Sequence, residues 1–145
     1  MILISHRGNI SGPNELSENN PQYIESAIFE GFDVEVDLWC TNDLYLGHAS
    51  PQYLINVSFI QKNKDKLWIH CKNYEALLFC IKKNWHCFWH EDDKYALTSK
   101  GFIWGHPRAR DFNLAILVMP EKKITYSSLD KTFIGVCTDY PFDYL

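Results

Sequence analysis

The chain has 145 residues, 46% of them hydrophobic and 15% aromatic; this is enough for one domain spanning residues 1–145 and too apolar for a disordered chain. A formal net charge of −4, with no run rich in Lys and Arg, argues against nucleic acid as a partner. The five cysteines, Cys40, Cys71, Cys80, Cys87 and Cys137, contain no C-x-x-C pair, so reduced, mostly buried thiols and a cytoplasmic location are expected.

Met1 to His6 starts directly as an apolar strand without the charged region of a signal peptide, and no apolar run approaches the ~20 residues of a membrane helix. Ile2 to Ser5 shows no alternation, the pattern of a strand buried on both faces of a parallel sheet. A loop rich in Ser, Gly, Asn and Pro follows His6-Arg7-Gly8. Asn20-Pro21 then predicts a helix start, with Ile24, Ala27 and Ile28 at helical spacing and Gly31 closing it. In the next strand Asp33, Glu35 and Asp37 alternate with Val34, Val36 and Leu38, so the acids share one face. Acids on a shared face are costly to bury unless a cation sits between them, and carboxylates suit hard divalent metals; the alternative is a solvated strand face.

Ser50-Pro51-Gln52-Tyr53-Leu54 nearly repeats Asn20-Pro21-Gln22-Tyr23-Ile24 and predicts a second helix start. Lys62, Lys64 and Lys66 read as a solvated helix end. Leu67 to Lys72 is a third strand, and Tyr74, Leu77, Leu78 and Ile81 form a helical stripe that ends in Lys82-Lys83-Asn84. Beyond Asn84 the runs His86–His90, Tyr95–Thr98, Phe102–Trp104, Leu114–Met119 and Phe133–Cys137 read as strands, with gaps too short for helices. Ser127–Lys131 has room for one helical turn. Alternating strands and helices imply parallel strands with right-handed crossovers. The expected fold is α/β: a reduced TIM-type (β/α) barrel with helices missing from its second half.

In such a barrel, functional groups gather at the C-terminal ends of strands. His6-Arg7, Glu35 and Asp37, His48, and His70 with Lys72 all fall there. Their order resembles the glycerophosphodiester phosphodiesterase family of phospholipase-C-like barrels. The motifs that carry the resemblance are His6-Arg7-Gly8, Glu18-Asn19-Asn20-Pro21, Glu35-Val36-Asp37, Gly47-His48, His70-Cys71-Lys72 and Thr138-Asp139-Tyr140-Pro141. Residues 1–72 match in order and approximate spacing, and residues 85–132 match little. The resemblance implies a phosphodiester hydrolase with His6 and His48 as its acid/base pair and Arg7 and Lys72 on the phosphate. It also implies a divalent metal on Glu35, Asp37 and the residue at position 70, and a small phosphodiester substrate. Histidine suits proton transfer near neutral pH, and an anionic phosphodiester needs charge neutralisation.

His70 stands where the family usually has a glutamate, which moves metal preference from Ca²⁺ toward Mg²⁺ (favoured), Mn²⁺ or Zn²⁺. Ala49 stands where an aspartate commonly follows the second histidine. Glu18, His90 and Asp139 are further candidate site residues, and Trp39, Trp104 and His106 candidate pocket walls. His86, at a strand start, reads as structural. Two other readings exist: a non-catalytic phosphate-ester binding protein on the same scaffold, and a structural zinc module of Cys71, Cys87, His86 and His90.

Overall fold

The strand bearing the two acids, β2 (Asp33–Cys40), lies between β1 (Ile2–His6) and β5 (Leu67–Cys71), both of which pair with its Val34 and Glu35 in parallel. The computed structural model describes residues 1–122 and 132–145, and the expected turn at Ser127–Lys131 lies outside them. Around β2 the chain builds a ten-stranded sheet. Seven strands run parallel in the order β6 (Cys87–Phe88), β5, β2, β1, β10 (Gly135–Thr138), β9 (Ala115–Val118), β8 (Ile103–Gly105). The hairpin β3 (Leu44–Leu46) and β4 (Tyr53–Ile55) extends antiparallel from the end of β2, and β7 (Tyr95–Leu97) folds back antiparallel on β8.

The sheet does not close into the expected barrel among the described residues: no ladder joins β6 to β8. The two ends of the parallel run do meet through side chains, with the rings of Phe88 and Trp104 4.6 Å apart. The reason for the open seam is local. β6 has only two residues, and the chain after it returns as the antiparallel strand β7 instead of crossing over through a helix. Beyond Lys82 the described residues hold no α-helix, only 3-10 turns at Pro120–Lys122 and Pro141–Tyr144.

Three helices cover the outer face: α1 (Pro21–Phe29), α2 (Val57–Asn63) and α3 (Tyr74–Lys82). Each begins at an asparagine whose side chain accepts a backbone N–H: Asn20 from Gln22, Asn56 from Phe59 and Asn73 from Ala76. Such a cap is worth about 1 kcal/mol. Gly31, at φ +99°, ends α1 as its spacing predicts. The predicted second helix start at Ser50-Pro51 is corrected: Tyr53–Ile55 pairs with β3, and the helix begins after Asn56. Tyr53 and Ile55 belong to a hairpin whose partner strand outweighs the local Ser-Pro signal.

Val34, Val36, Leu38 and Ile69 pack outward against Ile24, Ala27, Ile60 and Ala76. Ile4, Trp68, Phe88, Trp104, Ile116 and Val118 fill the inside of the curl. Fully burying a Leu- or Ile-sized side chain is worth about 1.5–3 kcal/mol, so these two layers hold the sheet in register. The stripe predicted for α3 is corrected in part. Leu77 packs against the core with Ala76 and Cys80, while Tyr74, Leu78 and Ile81 are exposed. No helix among the described residues is long and apolar enough to cross a membrane.

Candidate active site

Strand register builds the site. In a parallel pair, residues in register share a face. β1 sets His6 beside Glu35, and β5 sets His70 beside Asp37. All four point into the mouth of the curl, above the apolar floor of Ile4 and Trp68. The third acid, Asp33, shares their face but sits at the opposite end of β2, where it accepts from Lys66 Nζ and Trp68 Nε1, each at 3.0 Å.

Glu35 and Asp37 are buried, which removes the solvated-face reading for Asp37. One ligand atom each of Glu35, Asp37 and His70 lies within 4.8 Å of the other two. Glu35 Oε2 and Asp37 Oδ1 are buried and accept no hydrogen bond. His70 Nδ1 stands 3.1 Å from Asp37 Oδ1 and 3.8 Å from Glu35 Oε1. Its Nε2 is 3.3 Å from the carbonyl oxygen of His90. In this metal-free structure Nδ1 is placed to donate to Asp37 Oδ1; with a cation between the acids, Nε2–H donates to that carbonyl and Nδ1 turns its lone pair toward the ion. Two buried carboxylate oxygens without a hydrogen bond, beside an imidazole that can ligate, call for a cation between them. A carbonyl fixing the second ring nitrogen is the usual support of a metal-binding histidine. Two carboxylates and an imidazole fit Mg²⁺, Mn²⁺ or Zn²⁺.

The two acids differ electrostatically. Burial, and then the neighbouring Asp37, pushes Glu35 well above the usual carboxylate range. Burial acts on Asp37 in the same direction, but His48, His70 and Arg7 outweigh it and hold Asp37 well below that range. Asp37 is the hub of the site. Its Oδ2 is 2.9 Å from Arg7 Nε, 3.4 Å from His48 Nδ1 and accepts from Asn19 Nδ2 at 2.9 Å. Lys72 Nζ lies 3.6 Å from Oδ1.

Arg7 is turned inward by its own backbone. Its φ is +54°, in the left-handed region that non-glycine residues rarely adopt, and Asn19 is at +63°. The Asn19 amide donates to the Arg7 carbonyl at 3.0 Å, fastening the two together. Glu18 Oε2 accepts from Arg7 Nη1 at 3.0 Å, so Glu18 joins the site as the support of Arg7. Gly8, at φ +93°, packs so close to Tyr23 that a Cβ would lie 2.7 Å from Cδ1.

Asp139 also joins the site. Its Oδ1 is 2.7 Å from His6 Nδ1 and accepts from Asn9 Nδ2 at 2.8 Å. Burial opposes its ionisation, but His6 and Asn9 hold it below the ordinary value. His6 Nε2 then faces Glu35 Oε2 at 4.0 Å. His48 follows Gly47, whose carbonyl accepts from Trp39 Nε1 at 2.7 Å. Its side chain is 53% exposed, and its Nδ1 lies 2.6 Å from Arg7 Nη2.

These groups open into a cavity of about 620 Å³. His90, Trp104 and His106 line its far side together with Arg108 and Lys122, whereas Trp39 does not reach it and instead braces the His48 loop. The His90 ring stacks on His70 with centroids 4.5 Å apart. His86 lies lower, against Trp68 at 4.2 Å, with Nε2 2.8 Å from Thr98 Oγ1. The zinc set Cys71, Cys87, His86 and His90 is split: the two thiols face the helix layer, and the two rings lie inside the curl.

Sequence reasoning missed Asn9, Asn19 and Glu121. Asn9 links Glu18 to Asp139, and Glu121 Oε1 accepts from the Asp139 amide at 2.9 Å. Asn9 and Asn19 sit in a loop whose asparagines read as turn formers, and Glu121 is set by a tertiary contact that no local pattern carries. No protein family, curated protein or solved structure matches the chain.

Proposed function

We propose that the chain is a metal-dependent phosphodiester hydrolase acting on a glycerophosphodiester or a related polyol- or sugar-phosphate diester, built on a reduced, open barrel. The observation that carries this reading is the convergence of Glu35, Asp37 and His70 on one point, with two orphaned carboxylate oxygens and a histidine on each side.

Glu35, Asp37 and His70 would hold a divalent ion, which would supply Lewis-acid neutralisation of phosphate charge when bound. Arg7 and Lys72 are the anchors for the remaining phosphate charge. Both lean on Asp37 in this structure, within 3.6 Å or less. In the reacting state, with the ion drawing on Asp37, His48 Nδ1 accepts from Arg7 Nη2, 2.6 Å away in this structure, and the His48 proton sits on the exposed Nε2. Ionised Asp139 accepts from His6, so the His6 proton sits on Nδ1 and Nε2 is free to take another. On this arrangement we assign the roles as follows. His6 Nε2 takes the proton from the attacking hydroxyl of the substrate polyol, and His48 Nε2–H protonates the leaving alkoxide. The polyol oxygen bonds to phosphorus as the leaving alkoxide's P–O bond breaks, closing a cyclic phosphate, and the two roles reverse when water opens that ring.

The test is a screen of phosphodiesters against EDTA, Mg²⁺, Mn²⁺, Ca²⁺ and Zn²⁺. Turnover that EDTA abolishes and Mg²⁺ or Mn²⁺ restores, and that His6→Ala or His48→Ala removes from folded protein, is the expected result. Metal and phosphate-ester binding without turnover of any diester would favour the non-catalytic binding protein instead.

A further inference from the structure

On the outer face of the strands that form the site, three cysteines meet. Cys71 ends β5, Cys87 begins β6, and Cys80 reaches down from α3. Their sulfurs all lie within 4.8 Å of one another. All three residues are at most 1% exposed, and none is in a disulfide. The β5–β6 register, Ile69 opposite Cys87, puts Cys71 one alternation further along the same face, and α3 lays Cys80 over the gap. Val36, Leu38, Ile69 and Ala76 belong to the same apolar layer. Among the described residues, no histidine or carboxylate completes the group.

A single buried cysteine is well explained as a small hydrophobe. Three sulfurs converging from three separate elements form a ligand set. We propose that Cys71, Cys80 and Cys87 form a trithiol site for a soft, three-coordinate ion, with As(III) as the ion that the site fits best. With arsenic–sulfur bonds of about 2.3 Å and the pyramidal angles of about 95–100° that the As(III) lone pair imposes, an S₃ set spaces its sulfurs about 3.4–3.5 Å apart. From sulfurs within 4.8 Å of one another the cluster closes by up to about 1.3 Å. Zn²⁺ takes four donors in structural sites, and the fourth is missing here among the described residues. Ca²⁺ and Mg²⁺ take oxygen.

Charge narrows the choice further. Three thiolates around Cu⁺ or Zn²⁺ leave a net negative charge in an apolar layer, which is expensive without a partner. A trivalent ion leaves none. Binding of As(OH)₃ breaks three As–O bonds and forms three As–S bonds. Each hydroxide leaves as water with one thiol proton, and no electrons are transferred. Entry requires α3 to lift. This helix has nine residues and is too short to be stable without its packing, so local opening is accessible.

The test uses the wild-type chain incubated with arsenite and then desalted. Mass spectrometry is expected to find one arsenic retained per chain, with three hydrogens lost. X-ray absorption at the arsenic edge should show three sulfur neighbours and no oxygen. Cys80→Ala should lose the retained arsenic, whereas Cys40→Ala and Cys137→Ala should keep it. No retained arsenic, a mixed sulfur and oxygen shell, or full retention in Cys80→Ala would overturn the proposal. The absorption measurement needs no variant, so a Cys80→Ala chain that fails to fold leaves the test intact. Retention of Zn²⁺ through desalting, or displacement of As(III) by equimolar Cu⁺, would overturn the choice of ion. None of these readouts depends on phosphodiester turnover.

Discussion

Glu35→Gln separates a residue kept for function from one kept for stability. Burial and Asp37 push the Glu35 carboxyl well above its ordinary range, so ionising it inside the metal-free protein is unfavourable. Its Oε2 accepts no hydrogen bond and lies 4.0 Å from His6 Nε2, and the attraction of Arg7 and Lys72 for the carboxylate is outweighed by the cost of burying it beside Asp37. Glutamine has nearly the same shape and no charge to bury. In EDTA the variant should therefore be as stable as wild type to within about 1 kcal/mol, or more stable. Metal reverses the order. An ion present at 100 times its dissociation constant stabilises the wild type by about 2.7 kcal/mol. For a chain of this length that corresponds to a rise in Tm of roughly 8–12 °C. The substituted amide offers one neutral oxygen in place of a carboxylate, and the rise should disappear. The assay is thermal unfolding with and without Mg²⁺ or Mn²⁺. A Glu35→Gln chain that loses several kcal/mol in EDTA yet keeps the full metal shift would refute the reasoning, because Glu35 would then be structural and the ion bound elsewhere.

Other expectations follow from the same geometry. Asp139→Asn removes the anion that fixes the His6 tautomer 2.7 Å away, and turnover should fall by about 10²–10⁴ with little change in substrate affinity; an unchanged kcat would show that His6 needs no orienting partner. A Cβ on Gly47 would sit 2.2 Å from the Ser50 carbonyl oxygen. Gly47→Ala should therefore destabilise by about 2–4 kcal/mol in denaturant titrations and displace His48, lowering turnover more than tenfold; wild-type stability and rate would mean that the loop relaxes freely. Burial lowers the His86 ring from its ordinary 6.5 to about 4. The unfolded ring takes up its proton first as pH falls, so the contribution of His86 is complete above pH 6.5 and is lost progressively toward pH 4. Allowing for partial exposure, this is on the order of 1–2 kcal/mol. His86→Gln should flatten that limb of the stability profile, and an unaltered limb would assign acid unfolding to other groups.

The parts of the fold legible in the sequence are those with strong local physics. The Asn20-Pro21 cap, the Gly31 stop and the alternation of Asp33 to Leu38 each depend on neighbours along the chain, and each lies where expected. The start of α2 is not legible, because Ser50-Pro51 carries a helix signal while pairing of Tyr53–Ile55 with β3 depends on a strand that a local pattern does not see. The α3 stripe misleads in part because Tyr74, Leu78 and Ile81 face outward, while the sheet takes the small Ala76 and Cys80 fully and Leu77 and Phe79 only at its margin. The open seam between β6 and β8 reflects strand length and a returning hairpin, and neither is set by composition. Within the site, the chemistry-bearing side chains are visible because their residue types are costly to bury without a purpose. Their supports are not, since Asn9, Asn19 and Glu121 act through contacts spanning up to 130 residues of sequence.

The claim on which the rest depends is that Glu35, Asp37 and His70 hold a metal. Crystals grown or soaked with Mn²⁺ and measured for anomalous scattering test it directly. The account predicts one strong peak within bonding distance of Glu35, Asp37 and His70 Nδ1, about 2.0–2.3 Å from each ligand atom. An empty map at that point in saturating Mn²⁺, with Arg7 and Lys72 still resting on Asp37, would contradict it.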